Sequence, residues 1–164
     1  MRPTSGKIRE TLFNWISFEA EQKTYLDLFA GSGALSFEAL SRGAKSVIGV
    51  EKNLSAYQAL EQNQQILNTQ KIQFFCQDAL EFLAKKSQNY FDFVFLDPPF
   101  HQNILPKALK LLANNDFVTH GSKIYIESEA EILLMEICDF FADEISLIQQ
   151  KKSGQVHYCL LEIL

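Results

Sequence analysis

Short apolar runs alternate with amphipathic stretches along almost the whole chain, and this alternation limits the folds that the chain can adopt. Apolar runs of five to eight residues predict strands, and apolar residues at helical spacing predict helices. Strands that alternate with helices form a parallel sheet covered by helices on both faces. The predicted strands are 24–29, 46–50, 72–76, 91–96, 123–127, 144–149 and 156–163, and the predicted helices are 5–18, 34–41, 54–67, 80–86, 106–113 and 130–137.

The last two predicted strands, 144–149 and 156–163, follow each other without a helix between them. Lys151-Lys152-Ser153-Gly154 lies between them as a short turn, so the two strands are expected to pair as an antiparallel hairpin. We therefore predict an α/β fold whose seven-stranded sheet is mostly parallel and ends in this hairpin.

Length and composition suit a single globular domain over residues 1–164, with no Pro-, Gly- or Ser-rich linker. A net charge of −5 argues against a general nucleic-acid binder. No apolar run approaches the roughly 20 residues that cross a bilayer, and no leader is recognisable, so a cytoplasmic protein is expected. The histidines and cysteines are scattered without ligand spacing, which predicts no metal site and makes Cys76, Cys138 and Cys159 core residues.

The predicted strand 91–96 runs directly into Asp97-Pro98-Pro99-Phe100. Two prolines stop the strand and fix the backbone at its carboxyl end, which is the edge where open α/β sheets bind ligands. The Asp97 carboxylate and the Pro98 carbonyl can accept the two protons of a planar exocyclic amine, and the Phe100 ring offers a stacking face. The motif therefore favours methylation of such an amine over the alternative, an ordinary Pro-rich turn.

The first predicted strand runs into a glycine loop that carries Asp27, Gly31 and Gly33. Glycines allow a tight turn and let the backbone approach a ligand. A dinucleotide fingerprint has a third glycine where this chain has Ser36, and it needs no acid before the glycines. Asp27 is better suited to a cationic amine, such as the amino group of a methionine moiety.

Two further predicted strands also run into acids. Glu51 stands 20 residues after Gly31, where a carboxylate can accept both hydroxyls of a ribose. Lys52 follows and can lie against an adenine face. Asp78 can accept from an adenine amino group and the Ala79 amide can donate to the ring, although Asp78 also suits a helix N-cap. Together with Asp27 and Asp97, the first four predicted strands each end near an acid, and the carboxyl ends of parallel strands share one edge of the sheet. The chain is therefore predicted to be a cofactor-binding enzyme.

Several segments together resemble the bacterial 16S rRNA guanine-N2 methyltransferases of the RsmD type, which use S-adenosylmethionine. The resemblance covers essentially the whole chain, and its most specific part is the opening segment. The segments are Arg2-Pro3-Thr4-Ser5, Arg9-Glu10-Thr11-Leu12-Phe13-Asn14-Trp15, residues 27–35, residues 38–44, Asp97-Pro98-Pro99-Phe100 and Tyr125-Ile126-Glu127-Ser128-Glu129.

The resemblance implies a Rossmann-like class I methyltransferase fold and a nearly assembled small ribosomal subunit as substrate, with no membrane, no metal and a monomeric enzyme. The leading segment is expected to cover the methionine end of the cofactor. The implied cofactor-binding residues are Asp27, Gly31, Gly33, Glu51, Lys52, Asp78 and Ala79; the implied catalytic residues are Asp97, Pro98 and Phe100; the implied substrate-binding residues are Pro99, Phe100 and Arg9.

The chain departs from that family in two ways. Ser36 stands where the family usually has glycine, and the basic N-terminal segment usual before Arg-Pro-Thr is missing. The net charge of −5 leads us to expect weak affinity for naked RNA. Three alternatives stay open: the same chemistry on adenine in DNA or on a protein glutamine, a nicotinamide-dependent oxidoreductase, and a non-catalytic ribosome-associated module.

Overall fold

The sheet of the protein has seven strands in the order β3-β2-β1-β4-β5-β7-β6, and β7 is antiparallel to both of its neighbours. The computed structural model describes residues 5–132, 134–142 and 144–164. The predicted fold, a mostly parallel sheet with a C-terminal antiparallel hairpin, is confirmed. The strands are β1 (Thr24–Asp27), β2 (Ser46–Glu51), β3 (Ile72–Cys76), β4 (Phe93–Leu96), β5 (Lys123–Ser128), β6 (Ile145–Ser153) and β7 (Val156–Ile163).

Helices cover both faces of the sheet because strand residues alternate between two apolar clusters. The first three helices pack on one cluster and the last three on the other. No helix in the described ranges is long and apolar enough to cross a membrane. The helices are α1 (Gly6–Trp15), α2 (Ala34–Ser41), α3 (Leu54–Leu67), α4 (Ala79–Leu83), α5 (Ile104–Asn114) and α6 (Leu134–Cys138), followed by a 3-10 turn at Asp139–Phe141.

Some predicted boundaries were wrong near the ends of elements. The hairpin turn is shorter than predicted, because β6 stays paired up to Ser153 and Gly154, at φ +59°, begins a two-residue turn. The helix predicted over 130–137 begins only at Leu134. Cys76 is exposed at the end of edge strand β3, so the prediction that it is a core residue was wrong, whereas Cys159 is buried.

A row of aromatic rings fixes α1 against one face of the sheet. Phe13 meets Phe95 edge-on at 6.0 Å between ring centroids, and Trp15 stacks on Tyr158 at 5.3 Å. Such pairs add about 0.5–1.5 kcal/mol each beyond area burial. The N-terminus of α1, capped by the Ser5 side chain, is thereby held beside the carboxyl ends of the strands.

Candidate active site at the carboxyl edge of the sheet

The carboxyl ends of four neighbouring strands bring four acidic side chains to one edge of the sheet. Asp27 ends β1 and Glu51 ends β2, and they are 2% and 3% exposed. Asp97 follows β4 and is half-buried, while Glu127 lies near the end of β5 and is 3% exposed. Of these four, sequence reasoning assigned a role to all but Glu127.

Asp27 is held by a neighbour that the sequence did not identify as a partner. The Ser36 hydroxyl donates to Asp27 Oδ2 at 2.6 Å, and Ser36 is fully buried at the start of α2. Burial raises the pKa of Asp27 to about 6; hydrogen bonds from Ser36 and the Phe29 backbone oppose the rise, and the charges of Glu51 and Glu127 add to it. A cation placed here would reverse that electrostatic cost.

Glu51 fixes the glycine loop in position. Its Oε2 accepts from the Gly31 N–H at 2.8 Å, and its Oε1 accepts from the Asn53 N–H at 2.8 Å. The carboxyl group therefore joins the tip of β2 to the loop after β1. Each carboxylate oxygen has two lone pairs, so acceptor capacity remains for a ligand hydroxyl.

Gly33 has a packing role as well as a conformational one. It lies at φ +81°, and a Cβ there would lie 2.5 Å from the Phe37 ring and 2.6 Å from Leu60. Only glycine combines that backbone conformation with so close an approach. The structure thus explains Gly33 through the packing of α2 and α3, and its contact with a cofactor stays a prediction.

The residues predicted to hold adenosine lie together around a narrow slot of about 30 Å³. Glu51, Lys52, Asp78 and Ala79 line it on the side of β2 and β3. Asp78 also caps α4, because its Oδ1 accepts from the backbone N–H groups of the next helical turn at 2.8 and 3.2 Å. Pro99 and Ile104 of α5 also line the slot.

A larger cleft of about 420 Å³ lies beside this slot. Asp97-Pro98-Pro99-Phe100 forms one wall of it, and Pro99 lines both the slot and the cleft. Glu129 holds the segment after Phe100, since it accepts from the His101 backbone N–H at 3.0 Å and lies 2.7 Å from His101 Nδ1. The remaining lining residues are Ser5, the N-cap of α1, Ile8 of α1, Glu127 of β5, and Ser153, Gly154 and Val156 of the hairpin.

The structure does not bring Arg9 to this cleft. Its Nε lies 4.0 Å from Glu38 Oε2, and Arg42 Nε lies 3.0 Å from the other oxygen of Glu38. Arg9 therefore ties α1 to α2, and its contact with a substrate stays a prediction. The leading segment Arg2–Thr4, expected to cover a cofactor, lies outside the described residues.

Glu127 is the residue of this edge that sequence reasoning missed as a functional candidate. The Tyr125 hydroxyl donates to its Oε1 at 2.9 Å, and both side chains are buried. The sequence carries one signal for Glu127, an acid directly after the apolar run Ile124-Tyr125-Ile126. Its position beside Asp97 follows from the register of the structure, in which Leu96 pairs with Ile126. Within the described ranges, no group of three or more His, Cys, Asp or Glu residues is placed to hold a metal ion.

Known proteins share both the sequence and the architecture. The family described as Conserved hypothetical protein 95 matches residues 1–162. Ribosomal RNA small subunit methyltransferase D of Haemophilus influenzae is 38% identical over 99% of this chain and 83% of the relative, and that of Escherichia coli K12 is 37% identical over 99% and 79%.

Solved structures agree with these relatives. A crystal structure of a Haemophilus influenzae protein has a TM-score of 0.84 and 37% identity over 99% of both chains. Magnesium protoporphyrin IX methyltransferase of Synechocystis, at 14% identity over 96% of this chain and 79% of its own, shares the fold with a TM-score of 0.74. The chain therefore belongs to the Conserved hypothetical protein 95 family, together with the Ribosomal RNA small subunit methyltransferase D proteins.

Proposed function

We propose that this protein transfers a methyl group from S-adenosylmethionine to the exocyclic N2 amine of a guanine in the 16S rRNA of the small ribosomal subunit. The name of the relatives, Ribosomal RNA small subunit methyltransferase D, supports the reaction and the class of substrate. The observation that carries the proposal is the meeting of two cavities at Pro99: the slot bearing Glu51 and Asp78 opens beside the cleft bearing Asp97.

The described residues fit S-adenosylmethionine, which supplies an electrophilic methyl group on a sulfonium. Glu51 would accept from the ribose hydroxyls, and Asp78 would accept from the adenine amino group while the Ala79 amide donates to the ring; all three residues line the slot. Lys52, which also lines the slot, would lie against the adenine face. Asp27, whose burial raises its pKa to about 6, would bind the ammonium group of the methionine end.

Asp97 and Pro98 position the nitrogen that is methylated. The carboxylate and the carbonyl accept the two amine protons, so the nitrogen lone pair points away from them. Phe100 stacks on the base and keeps the amine in that plane. As the nitrogen gains positive charge, Asp97 stabilises that charge at close range. No strong base is needed before attack, because the amine proton becomes acidic only after methylation.

The substrate must present an unstacked guanine, because the amine of a stacked base cannot enter a cleft. The protein itself carries a net charge of −5, which disfavours tight binding to naked RNA. A small subunit that already holds the target nucleotide in an accessible conformation is therefore the substrate. The enzyme acts as a monomer in the cytoplasm, where these subunits are made.

Methyl transfer to isolated small subunits tests this function. Small subunits that lack the modification, naked 16S rRNA and double-stranded DNA are each incubated with the protein and labelled S-adenosylmethionine. We expect label only in the subunits, as N2-methylguanine at one nucleotide, and no label with Asp97→Ala. Label in N6-methyladenine or in a protein glutamine would contradict the proposal, as would no transfer to any substrate.

A further inference from the structure

Glu127 occupies the position beside Asp97 on the neighbouring strand. Leu96 pairs with Ile126 in the register of β4 and β5; Asp97 directly follows Leu96, and Glu127 directly follows Ile126. Neighbouring strands lie about 4.8 Å apart, so the backbones at Asp97 and Glu127 are close together, and both residues line the same cleft. Glu127 lines both the 420 Å³ cleft and an adjoining cavity of about 250 Å³.

The orientation of the Glu127 carboxyl group is fixed by Tyr125. The Tyr125 side chain is fully buried, and its hydroxyl donates to Glu127 Oε1 at 2.9 Å. Burial, and next the charge of Glu127, raise the pKa of Tyr125 far above its usual value, so the phenol stays protonated and keeps donating. One carboxylate oxygen is thus anchored, and the group is presented to the cleft in a defined direction.

Asp27 and Glu51, the other two buried acids of this edge, accept hydrogen bonds from nearby residues of the fold and are not among the lining residues of the larger cleft. Asp27 Oδ2 accepts from Ser36, and Glu51 accepts from two backbone amides of the glycine loop and the start of α3. Among the residues that the structure describes, Asp97 and Glu127 are the acids that line the larger cleft. A base whose amine meets Asp97 can therefore turn a ring atom next to that amine toward Glu127.

Guanine and adenine differ at that ring atom. Beside its exocyclic N2 amine guanine carries N1–H, a hydrogen-bond donor, whereas beside its N6 amine adenine carries an unprotonated N1, an acceptor. A carboxylate is an acceptor, so it binds the first arrangement and faces a lone pair in the second. We propose that Glu127 is a specificity-determining residue that accepts from guanine N1–H while Asp97 and Pro98 hold the amine; this rests on the proposed function.

The analogue 2-aminopurine makes the proposal testable, because it keeps the 2-amino group but has an acceptor at N1. Small subunits are reconstituted with guanine or 2-aminopurine at the nucleotide that the wild-type protein methylates. We expect the wild type to prefer guanine by about 100-fold or more in kcat/KM. Glu127→Gln, whose amide donates to an acceptor, should lose about tenfold to 100-fold on guanine and gain on 2-aminopurine.

Two further measurements separate this role from a structural one or from cofactor binding. The affinity for S-adenosylmethionine, measured by titration, should stay within about threefold in Glu127→Gln, because Glu127 lines the larger cleft and not the slot. A factor of about three corresponds to less than about 1 kcal/mol. The control Glu131→Gln, an exposed acid of the adjoining cavity, should keep the preference of the wild type.

An equal loss on both bases, an unchanged preference, or a loss of cofactor affinity as large as the loss of turnover would each overturn the role of Glu127. If the wild type instead methylates neither substrate, the proposed function itself has failed, and this inference falls with it. That result is recognised in the wild type alone, before any variant is compared.

Discussion

Acidic side chains lie at both ends of the parallel strands, but their interaction partners differ between the two ends. At the amino ends, lysines neutralise the acids: Lys123 Nζ lies 2.6 Å from Glu19 and 3.5 Å from Glu162, and Lys23 Nζ lies 3.8 Å from Asp92. These contacts join the segment after α1 to β5 and β7, so the amino edge is a structural edge.

At the carboxyl ends, the hydrogen-bond donors found for four of the acids are neutral, and for Glu127 that donor is the Tyr125 hydroxyl. Asp27 accepts from a hydroxyl, and Glu51 and Asp78 accept from backbone amides. Their negative charge is oriented by the fold but is not cancelled by these donors. An edge of this kind suits a cationic, hydroxyl-rich ligand.

The largest effect is expected for Asp97→Ala. In the proposed mechanism Asp97 stabilises charge on the attacking nitrogen, so its removal should lower kcat by about 1000-fold. Cofactor affinity should change by less than about threefold, since Asp97 lines the cleft and not the slot. Single-turnover kinetics and calorimetric titration measure the two quantities. Equal losses in both would mean that Asp97 is mainly a cofactor ligand.

Asp27→Asn should separate stability from binding. The pKa of Asp27 is raised to about 6, so its ionised form destabilises the folded protein by about 3 kcal/mol at neutral pH. Because the folded protein holds this proton more tightly than the unfolded chain, the stability from this group falls as the pH rises from about 4 to about 6. The isosteric variant should therefore have a higher Tm at pH 7.5.

Cofactor affinity should respond in the opposite direction. If S-adenosylmethionine binds the ionised form of Asp27, as proposed, its affinity in the wild type should fall about tenfold per pH unit below pH 6. Asp27→Asn should bind more weakly at pH 7.5 and lose this pH dependence. Titrations at pH 5 and 7.5 check both, and a pH-independent wild type would contradict the assignment.

Gly33→Ala should destabilise the protein by about 3 kcal/mol, because it adds a clash with Phe37 and Leu60 to a strained positive φ. Gly154→Ala is the matched control: it also has a positive φ, +59°, but nothing lies within 4 Å of the added Cβ. Its cost should be about 1 kcal/mol. Urea denaturation measures the free energy of unfolding of both variants. Equal losses in the two would contradict a packing role for Gly33.

The smallest effect is expected at the amino edge. Lys123→Met should lower the free energy of unfolding by about 1 kcal/mol, because the Glu19 and Glu162 side chains left behind are 50% and 35% exposed and stay hydrated. Cofactor affinity should not change. A loss of affinity comparable to that of Asp27→Asn would mean that the two edges are not distinct in function.

Much of this fold was predictable because local signals and tertiary structure agree. The bounds of α2, α3 and β3 are those predicted, and Asn53 caps α3 through a hydrogen bond to the Ala56 amide. The end of β6 was not predictable from composition, because polar residues such as Lys151 and Lys152 indicate a turn. They belong to the strand only because their backbones pair with β7. The family was also predicted correctly.

The parts of the site that were missed depend on contacts between distant segments. Ser36 was noted only as a replaced glycine, since its bond to Asp27 forms when α2 packs back on β1. Glu127 was quoted as part of a motif without a role, because its burial and its position beside Asp97 follow from the pairing of β4 with β5. The predicted roles of the other site residues stay predictions.

The most direct test of the account is an isothermal titration with S-adenosylmethionine, S-adenosylhomocysteine and NAD. The wild type and Lys123→Met should bind the first two saturably at one site and should not bind NAD. Glu51→Gln should lose most of that affinity, because Glu51 both orders the glycine loop and faces the slot. Binding of NAD alone, binding of no ligand, or full affinity in Glu51→Gln would contradict a methyltransferase site at the carboxyl edge.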